Sequence, residues 1–259
     1  MSDVVMAEIR KDYLYHLVLK GERADGRVFD EYRDIDVETG PIRKADGSAR
    51  VRLGKTQVMV GVKIQPGEPF SDTPNKGVII TNAELVPLAS PNFEPGPPNE
   101  FGIELARVVD RGVRESGAID LEALCITPGE KVWIVFIDVH ILDDCGNLMD
   151  ASSLGAIAAL MTAKVPAAQY NLGEDYPLPV KDVPVATTAV EFGGATIFDP
   201  DTDEESVADT KLTVITTADG SVCGMQKSGP GFISQDHIYR IVDIACERAR
   251  EIREKFLEV

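Results

Sequence analysis

The order of apolar and polar residues divides the chain into two successive groups of strands, each accompanied by helices. Alternation with a period of two, or a short run that is apolar throughout, indicates a strand, and recurrence every three or four residues indicates a helix. In the first group the predicted strands are Ile35–Val37, Ala49–Leu53, Gln57–Ile64, Val78–Val86, Leu121–Ile126 and Val132–Leu142. The predicted helices there are Val4–Leu19, Glu100–Ser116 and Asp150–Ala163.

The second group follows a proline-containing linker, 171–184. Its predicted strands are Val185–Val190, Ala195–Phe198, Thr210–Thr217 and Ser221–Lys227. The last two strands flank an Asp219-Gly220 turn, a dipeptide that is typical of a β-hairpin. The closing helix is predicted to begin at Ser234, whose hydroxyl is a favourable N-cap. The repeated order suggests a structural duplication, although the sequence contains no matching repeat.

Acidic residues dominate the charge of the 259-residue chain. It has 43 Asp and Glu residues against 26 Lys and Arg, which gives a formal net charge of −17, and 44% of its residues are hydrophobic. Such a chain can bury a sizeable core, but most of its surface repels nucleic acid and anionic membranes. Any contact with RNA or DNA must therefore come from a local basic patch.

The cysteines and the N-terminal segment bear on the compartment. The four cysteines lie far apart in sequence, without a Cys-x-x-Cys pair. That spacing argues against a zinc site or a disulfide scaffold and favours reduced thiols. The N-terminal segment lacks the basic-then-apolar order of a signal peptide, and no apolar run approaches the length of a membrane span. We therefore expect a cytoplasmic protein with no membrane contact.

One predicted turn has the backbone pattern of an anion site without the side chains for it. The sequence Asp-Asp-Cys-Gly-Asn-Leu-Met-Asp joins a long apolar strand to an alanine-rich helix. A glycine turn at a helix N-terminus presents free N–H groups to an anion. A catalytic phosphate site would add a cation and a hydroxyl, whereas this chain has Asn147 and Leu148. The nearby carboxylates would repel a phosphate; they belong to Asp143, Asp144 and Asp150.

Three arginines share one face of the predicted helix that follows the proline-rich loop. Spacings of four and three residues separate Arg107, Arg111 and Arg114, which places them on the same side of a helix. Grouped guanidiniums are suited to holding phosphates or a nucleic-acid backbone. The alternative is ion pairing with acidic residues within one turn of the helix, which are Glu104, Asp110 and Glu115.

Two further charged segments have an ordinary interpretation as solvated surface. The basic stretch from Arg43 to Lys55 either meets a polyanion or an acidic subunit, or is a solvated edge strand. The acidic segment Asp199–Glu205 fails the EF-hand pattern, because Glu204 stands at the sixth position, where that pattern requires glycine. We interpret this segment as a solvated acidic loop.

Several separated motifs, in order along the chain, resemble the RNase PH-like subunits of the exosome. The opening motifs are Arg-Ala-Asp-Gly-Arg at 23–27, Arg-Asp-Ile at 33–35 and Ala-Asp-Gly-Ser-Ala at 45–49. A later motif, Glu-Ser-Val-Ala-Asp-Thr at 205–210, precedes a predicted strand as it does in that family. The resemblance extends over about 21–258.

Within this family the chain looks most similar to the non-catalytic ring subunit of the archaeal exosome, through segment 104–111, Pro128-Gly129 and Trp133. Catalytic members are phosphorolytic 3′-to-5′ exoribonucleases with a Gly-Ser-Arg phosphate turn, where this chain has Gly-Asn-Leu. They also carry an aspartate where Lys211 stands here. Leucine cannot bind inorganic phosphate, and lysine cannot replace an acid that holds a metal or assists the leaving group. The resemblance therefore implies a subunit with no catalytic residue, no metal and no cofactor.

The resemblance also implies partners. It predicts a hexameric ring of three heterodimers, each pairing this chain with a catalytic RNase PH-like subunit. Cap proteins with OB-fold or KH RNA-binding modules would lie on one face of that ring. In this family the region equivalent to the arginine helix faces the RNA path, which favours RNA contact by Arg107 and Arg111, and by Arg114 to a lesser degree.

We therefore predict an α+β fold of the RNase PH type. The chain 1–259 would be a single unit with an N-terminal lobe at about 22–168 and a C-terminal lobe at about 184–259, each a mixed β-sheet backed by helices. Its predicted function is to complete its partner's active site and contribute to RNA binding during 3′-to-5′ degradation. The alternative is an active phosphorolytic exoribonuclease. A free RNA-binding module is disfavoured by the net charge of −17.

Overall fold

The computed structural model of the chain describes residues 2–257, in which helices pack on two large β-sheets and a third sheet has only two short strands. The α-helices are Ser2–Leu19 (α1), Glu100–Glu115 (α2), Leu148–Met161 (α3), Thr202–Val207 (α4) and Gln235–Ile252 (α5). The strands of the first half are Ile35–Thr39 (β1), Gly47–Leu53 (β2), Thr56–Gly67 (β3), Val78–Leu85 (β4), Cys125–Thr127 (β5), Lys131–Asp143 (β6) and Lys164–Val165 (β7). Those of the second half are Tyr176–Pro177 (β8), Val185–Phe192 (β9), Ala195–Phe198 (β10), Thr210–Thr216 (β11) and Val222–Ser228 (β12). Over residues 2–257, no helix has both the length and the apolar content needed to cross a bilayer.

The first sheet is mixed and has the strand order β1-β2-β3-β6-β4, with β5 paired to β6. Strands β4 and β6 are parallel, and the other neighbouring pairs are antiparallel. Strand β6 pairs with β3 on one side and β4 on the other, which confirms the prediction that this apolar segment is an interior strand. Its odd-numbered residues from Trp133 to Ile141 are buried and alternate with partly exposed ones, so one face is turned to the core.

The second sheet has four antiparallel strands in the order β10-β9-β11-β12. Short turns join β9 to β10 and β11 to β12, and the Asp219-Gly220 turn in the second of these pairs is the predicted hairpin. Helix α5 packs on this sheet and begins as predicted, because the Ser234 hydroxyl accepts a hydrogen bond from the His237 N–H at 3.3 Å. Apart from Glu191, strand β9 is buried along its length, since α3 and α5 both contact it.

Helix α3 connects the two halves of the molecule, since it contacts β2 and β3 of the first sheet and β9 of the second. Most of its residues between Leu148 and Leu160 are buried. Its small residues allow this close approach: a Cβ atom on Gly155 would lie 2.8 Å from Cγ2 of Val60. The N-terminus of α3 is therefore held at the junction between the two sheets.

Besides the predicted linker 171–184, which contains strand β8 paired with β7, two segments differ from the sequence prediction. The apolar pattern predicts a strand from Leu121, but β5 begins only at Cys125. The Asp120 carboxylate accepts a hydrogen bond from the Ala123 N–H at 3.2 Å, and the Leu124 N–H donates to the Leu121 carbonyl at 3.3 Å. These bonds curl the residues into a turn before the strand can start.

The second difference is the acidic segment Asp199–Glu205, which contains the start of helix α4 and is not simply a solvated loop. The Asp201 carboxylate accepts a hydrogen bond from the Glu204 N–H at 2.8 Å, and the Glu204 carboxylate accepts one from the Asp201 N–H at 3.0 Å. This reciprocal capping box satisfies donors that would otherwise lack partners at the helix start. The spacing of three residues between the capping partners was the available sequence signal.

Candidate functional site

The turn between β6 and α3 has two consecutive residues in the left-handed region of backbone space. Gly146 has a φ of 90° and Asn147 a φ of 55°. Gly146 also lies against the segment before α4: a Cβ atom built on it would be 2.5 Å from the carbonyl carbon of Asp201 and 2.6 Å from the nitrogen of Thr202. On the other side, the Thr56 hydroxyl donates to the Gly146 carbonyl at 2.7 Å. The turn is thus fixed between the first sheet and α4.

The two side chains that follow this glycine are both buried. The Asn147 amide donates to Oδ2 of Asp150 at 2.9 Å and to Oδ1 of Asp199 at 2.8 Å. Leu148 is 2% exposed and belongs to the main hydrophobic core. Neither side chain offers a cation or a hydroxyl to an anion at the N-terminus of α3, in agreement with the interpretation of the sequence.

Asp150 contacts the turn through Asn147, as predicted, but its carboxylate does not face an anion there. Its carboxylate is buried, where it accepts hydrogen bonds from the hydroxyls of Tyr32 and Thr188, each at 2.7 Å, and from the Thr188 N–H at 3.0 Å. Burial raises the pKa of Asp150 to about 6, although these donors oppose the shift. Of the three acids named from the sequence, this one therefore joins α3 to the second sheet.

A lysine lies beside the turn, between two carboxylates. The Nζ atom of Lys211 is 3.2 Å from Oε1 of Glu205 and 5.7 Å from the centroid of the Phe101 ring. Burial raises the pKa of Glu205, while the Lys211 ammonium and the backbone N–H of Asn147 act to lower it. Burial likewise raises the pKa of Asp144, and the same ammonium opposes that shift. The Lys211 ammonium thus forms an ion pair with Glu205 and also acts to lower the pKa of Asp144.

The arginines of the opening motifs form a buried clamp with acids of the second half. Arg33 donates to both carboxylate oxygens of Asp199, at 2.8 and 2.7 Å, and to the Cys145 carbonyl at 2.7 Å. The Arg23 side chain is fully buried and donates to the Glu204 carboxylate at 2.8 and 2.6 Å. Burial alone would raise the pKa of Asp199, but the Arg33 guanidinium holds it below its ordinary value. The motifs that contain Arg23 and Arg33 could be recognised in the sequence, but their ion pairs with the second half of the chain could not.

The arginine helix, α2, carries two exposed guanidiniums and one that is ion-paired. Arg114 forms an ion pair with Asp110 at 3.0 Å and donates to the Ile79 carbonyl at 3.2 Å. Among residues 10–257, by contrast, no ion pair involves Arg107 or Arg111, and both side chains are exposed. These two line a cleft of about 430 Å³ between α2 and β12. The ion-pair alternative therefore holds for Arg114 only.

The acidic residues around α4 are engaged by protein groups. Besides the bonds of Glu204 and Glu205, Asp203 forms an ion pair with Arg10 at 2.7 Å. Within the described part of the chain, no three His, Cys, Asp or Glu side chains are grouped closely enough to hold a metal ion. This segment therefore organises the junction of the two halves.

Comparison with protein families gives matches to both halves of the chain. Residues 31–166 match the model of the 3′ exoribonuclease family, domain 1, and residues 182–248 match that of the same family, domain 2. The chain is 65% identical over 255 residues to exosome complex component Rrp42 of Methanocella arvoryzae, which covers 98% of each protein.

Two solved structures share the fold over nearly their whole length. A chain in the structure of the Archaeoglobus fulgidus exosome with RNA bound to the active site is 56% identical, with a TM-score of 0.95, and the match covers 97% of this chain and 99% of that one. A chain of an archaeal exosome core is 52% identical, with a TM-score of 0.92 and 99% of both chains covered.

Proposed function

Because the chain belongs to the 3′ exoribonuclease family, we propose that it is a non-catalytic subunit of an archaeal exosome ring. Membership of the family confirms the resemblance predicted from the sequence motifs, and with it the α+β fold of the RNase PH type. The relatives named exosome component Rrp42 support the assignment to the ring, since they match this chain from end to end. Two lobes, at about 22–168 and 184–259, remain our proposed division of the chain.

The observation that carries the absence of catalysis is the Lys211–Glu205 ion pair beside the α3 turn. Phosphorolysis requires a group that binds the attacking phosphate and an acid that holds a metal or assists the leaving group. Here the turn is followed by the buried Leu148, and the half-buried ammonium of Lys211 lies between acids. The ammonium that lies beside the turn is thus engaged by Glu205, which supports the proposal that the turn does not bind phosphate.

The proposed partners follow from the same family. We propose that three copies of this chain alternate with three catalytic RNase PH-like subunits in a hexameric ring, and that cap proteins with OB-fold or KH modules bind one face. In this arrangement the chain supports the partner's active site during 3′-to-5′ degradation of RNA. We propose the cytoplasm as its location.

Release of nucleoside diphosphates from a short poly(A) RNA, with inorganic phosphate and magnesium, tests this proposal. We expect no release by this chain alone and strong release by its mixture with the catalytic subunit. The catalytic subunit is also assayed alone, and its release of nucleoside diphosphates shows how much activity depends on assembly with this chain. Release by the isolated chain that persists through repurification would overturn the proposal in favour of an active exoribonuclease.

We further propose that Arg107 and Arg111 contact RNA in the assembled ring, with Arg114 as a weaker contributor because it is paired with Asp110. The chain carries a net charge of −17, so exposed and unpaired guanidiniums are the groups best suited to attract a polyanion. Their position in an open cleft between α2 and β12 leaves them accessible to a phosphate backbone.

The Arg107→Ala, Arg111→Ala double variant of the reconstituted ring tests this contact. We expect weaker RNA binding and a salt dependence whose slope falls by about 0.7 for each phosphate that is no longer neutralised. The matched control is Arg43→Ala with Lys44→Ala, which removes the same charge from an exposed part of the basic stretch. If both variants lost the same affinity, the decrease would be explained by the change in net charge alone. If the salt dependence of the Arg107→Ala, Arg111→Ala ring were unchanged, the proposed contact would be overturned.

A further inference from the structure

The carboxylate of Glu104 is bound by two neutral donors from the neighbouring strand. Its Oε1 atom accepts a hydrogen bond from Nε2 of Gln226 at 2.8 Å and another from Oγ of Ser228 at 2.7 Å. Both donors lie on β12, while Glu104 lies on α2. The negative charge of this acid is therefore held against the edge of the second sheet.

Without these donors, Glu104 would be placed to neutralise Arg107. The two residues are three positions apart on α2, a spacing at which opposite charges on a helix attract each other. Such an ion pair does form elsewhere on the same helix, between Asp110 and Arg114 at 3.0 Å. Two hydrogen bonds to a carboxylate hold it more firmly than one exposed ion pair within a helix does.

We propose that Gln226 and Ser228 are positioning residues for the RNA contact: by binding the Glu104 carboxylate they keep it from pairing with Arg107 and leave that guanidinium free for phosphate. The inference rests on the RNA contact proposed above for Arg107 and Arg111. It predicts that the sheet edge, through its hold on Glu104, tunes how strongly α2 attracts the nucleic acid. Glu104 and Gln226 line the same cleft as the two arginines, so the effect is local.

The test uses the reconstituted ring carrying Gln226→Leu with Ser228→Ala. Released from its donors, Glu104 should pair with Arg107 and compete with RNA, so we expect RNA affinity to fall about two- to fivefold, the range of an exposed ion pair. The salt dependence of binding should flatten at the same time, because one guanidinium is neutralised internally. Adding Glu104→Gln to this variant should restore both affinity and slope, which a general structural defect would not allow.

Met225→Ala is the matched control, since it removes a partly exposed side chain from the same strand. It should leave RNA affinity unchanged, and the single variants Gln226→Leu and Ser228→Ala provide milder forms if the double variant fails to assemble. Unchanged affinity after removal of both donors, or a decrease that Glu104→Gln does not rescue, would overturn the positioning role alone. Unchanged affinity in the Arg107→Ala, Arg111→Ala ring would overturn the RNA contact and this inference together.

Discussion

The ammonium of Lys211 lies 3.2 Å from the carboxylate of Glu205, beside the turn where the resemblance places a phosphate site. The Phe101 ring lies against the same ammonium, with its centroid 5.7 Å from Nζ. Three elements, β11, α4 and α2, are thereby joined at one point. The proposed absence of catalysis is accordingly accompanied by an ordered structural contact at the same place.

Replacing Lys211 with methionine should destabilise this contact while keeping the packing on Phe101. Without the ammonium, the pKa of Glu205 rises further, since burial is then less opposed. We expect the free energy of unfolding to fall by about 1–3 kcal/mol at neutral pH, as measured by urea denaturation. Adding Glu205→Gln should recover part of this decrease, because the buried charge is then absent. A double variant as unstable as the single one would contradict the electrostatic explanation.

Restoring the Gly-Ser-Arg turn, through Asn147→Ser with Leu148→Arg, should not create phosphorolysis. Leu148 is 2% exposed within the main core, so a guanidinium there loses its hydration. The expected penalty is several kcal/mol, which thermal unfolding would report as a clear decrease in Tm. Leu148→Met is the control and should cost less than about 1.5 kcal/mol. Nucleoside diphosphate release by the isolated restored chain would show that the turn alone had silenced the site.

The buried Asp150 should impose a defined pH dependence on stability. Its folded-state pKa is about 6, above the unfolded value. Because the native state then binds the proton more tightly, the contribution of this group is fully present below about pH 4 and is lost as the pH rises to about 6. We expect Asp150→Asn to remove a change of about 3 kcal/mol over that interval. Urea unfolding of both proteins at intervals from pH 4 to pH 7 measures it, and parallel curves would refute the assignment.

Gly146→Ala should separate backbone strain from close packing. Both Gly146 and Gly129 have positive φ, of 90° and 78°, but only at Gly146 would a Cβ atom meet neighbouring backbone, at 2.5 Å from the Asp201 carbonyl carbon. Gly129→Ala should therefore report the strain alone, at about 1–3 kcal/mol. Gly146→Ala should lower the free energy of unfolding clearly more. If both variants lowered the free energy of unfolding equally, the segment before α4 would have to move away from the new Cβ atom at no energetic cost.

Periodic segments were predictable because their burial follows from their own sequence. Strands β3 and β6 and helix α5 alternate or repeat over many residues, and their buried residues, apart from Thr56, are apolar. The acidic segment was harder, since α4 has six residues and too few apolar positions to show a helical period. Only the Asp201–Glu204 spacing signalled its start.

The absence of phosphate ligands from the turn could be predicted from the sequence, whereas the ion pairs around it could not. Asn147 and Leu148 could be recognised from the sequence as poor phosphate ligands, and Lys211 does lie near the turn. The partners of Arg23 and Arg33 could not be found, because these are Glu204 and Asp199, more than 160 residues further along the chain, and no local pattern relates such positions.

The clamp between Arg23 and Glu204 also bears on how the protein is made. The two residues are 181 positions apart. At a synthesis rate of about 5–20 residues per second, the guanidinium waits roughly 10–40 seconds for its carboxylate to be translated. During that interval the guanidinium has Asp25 nearby, at 4.0 Å in the folded chain, but it can be buried with its bidentate partner only after α4 has left the ribosome. A nascent chain that stops before the second sheet therefore lacks both Glu204 and Asp199, the acids that Arg23 and Arg33 bind.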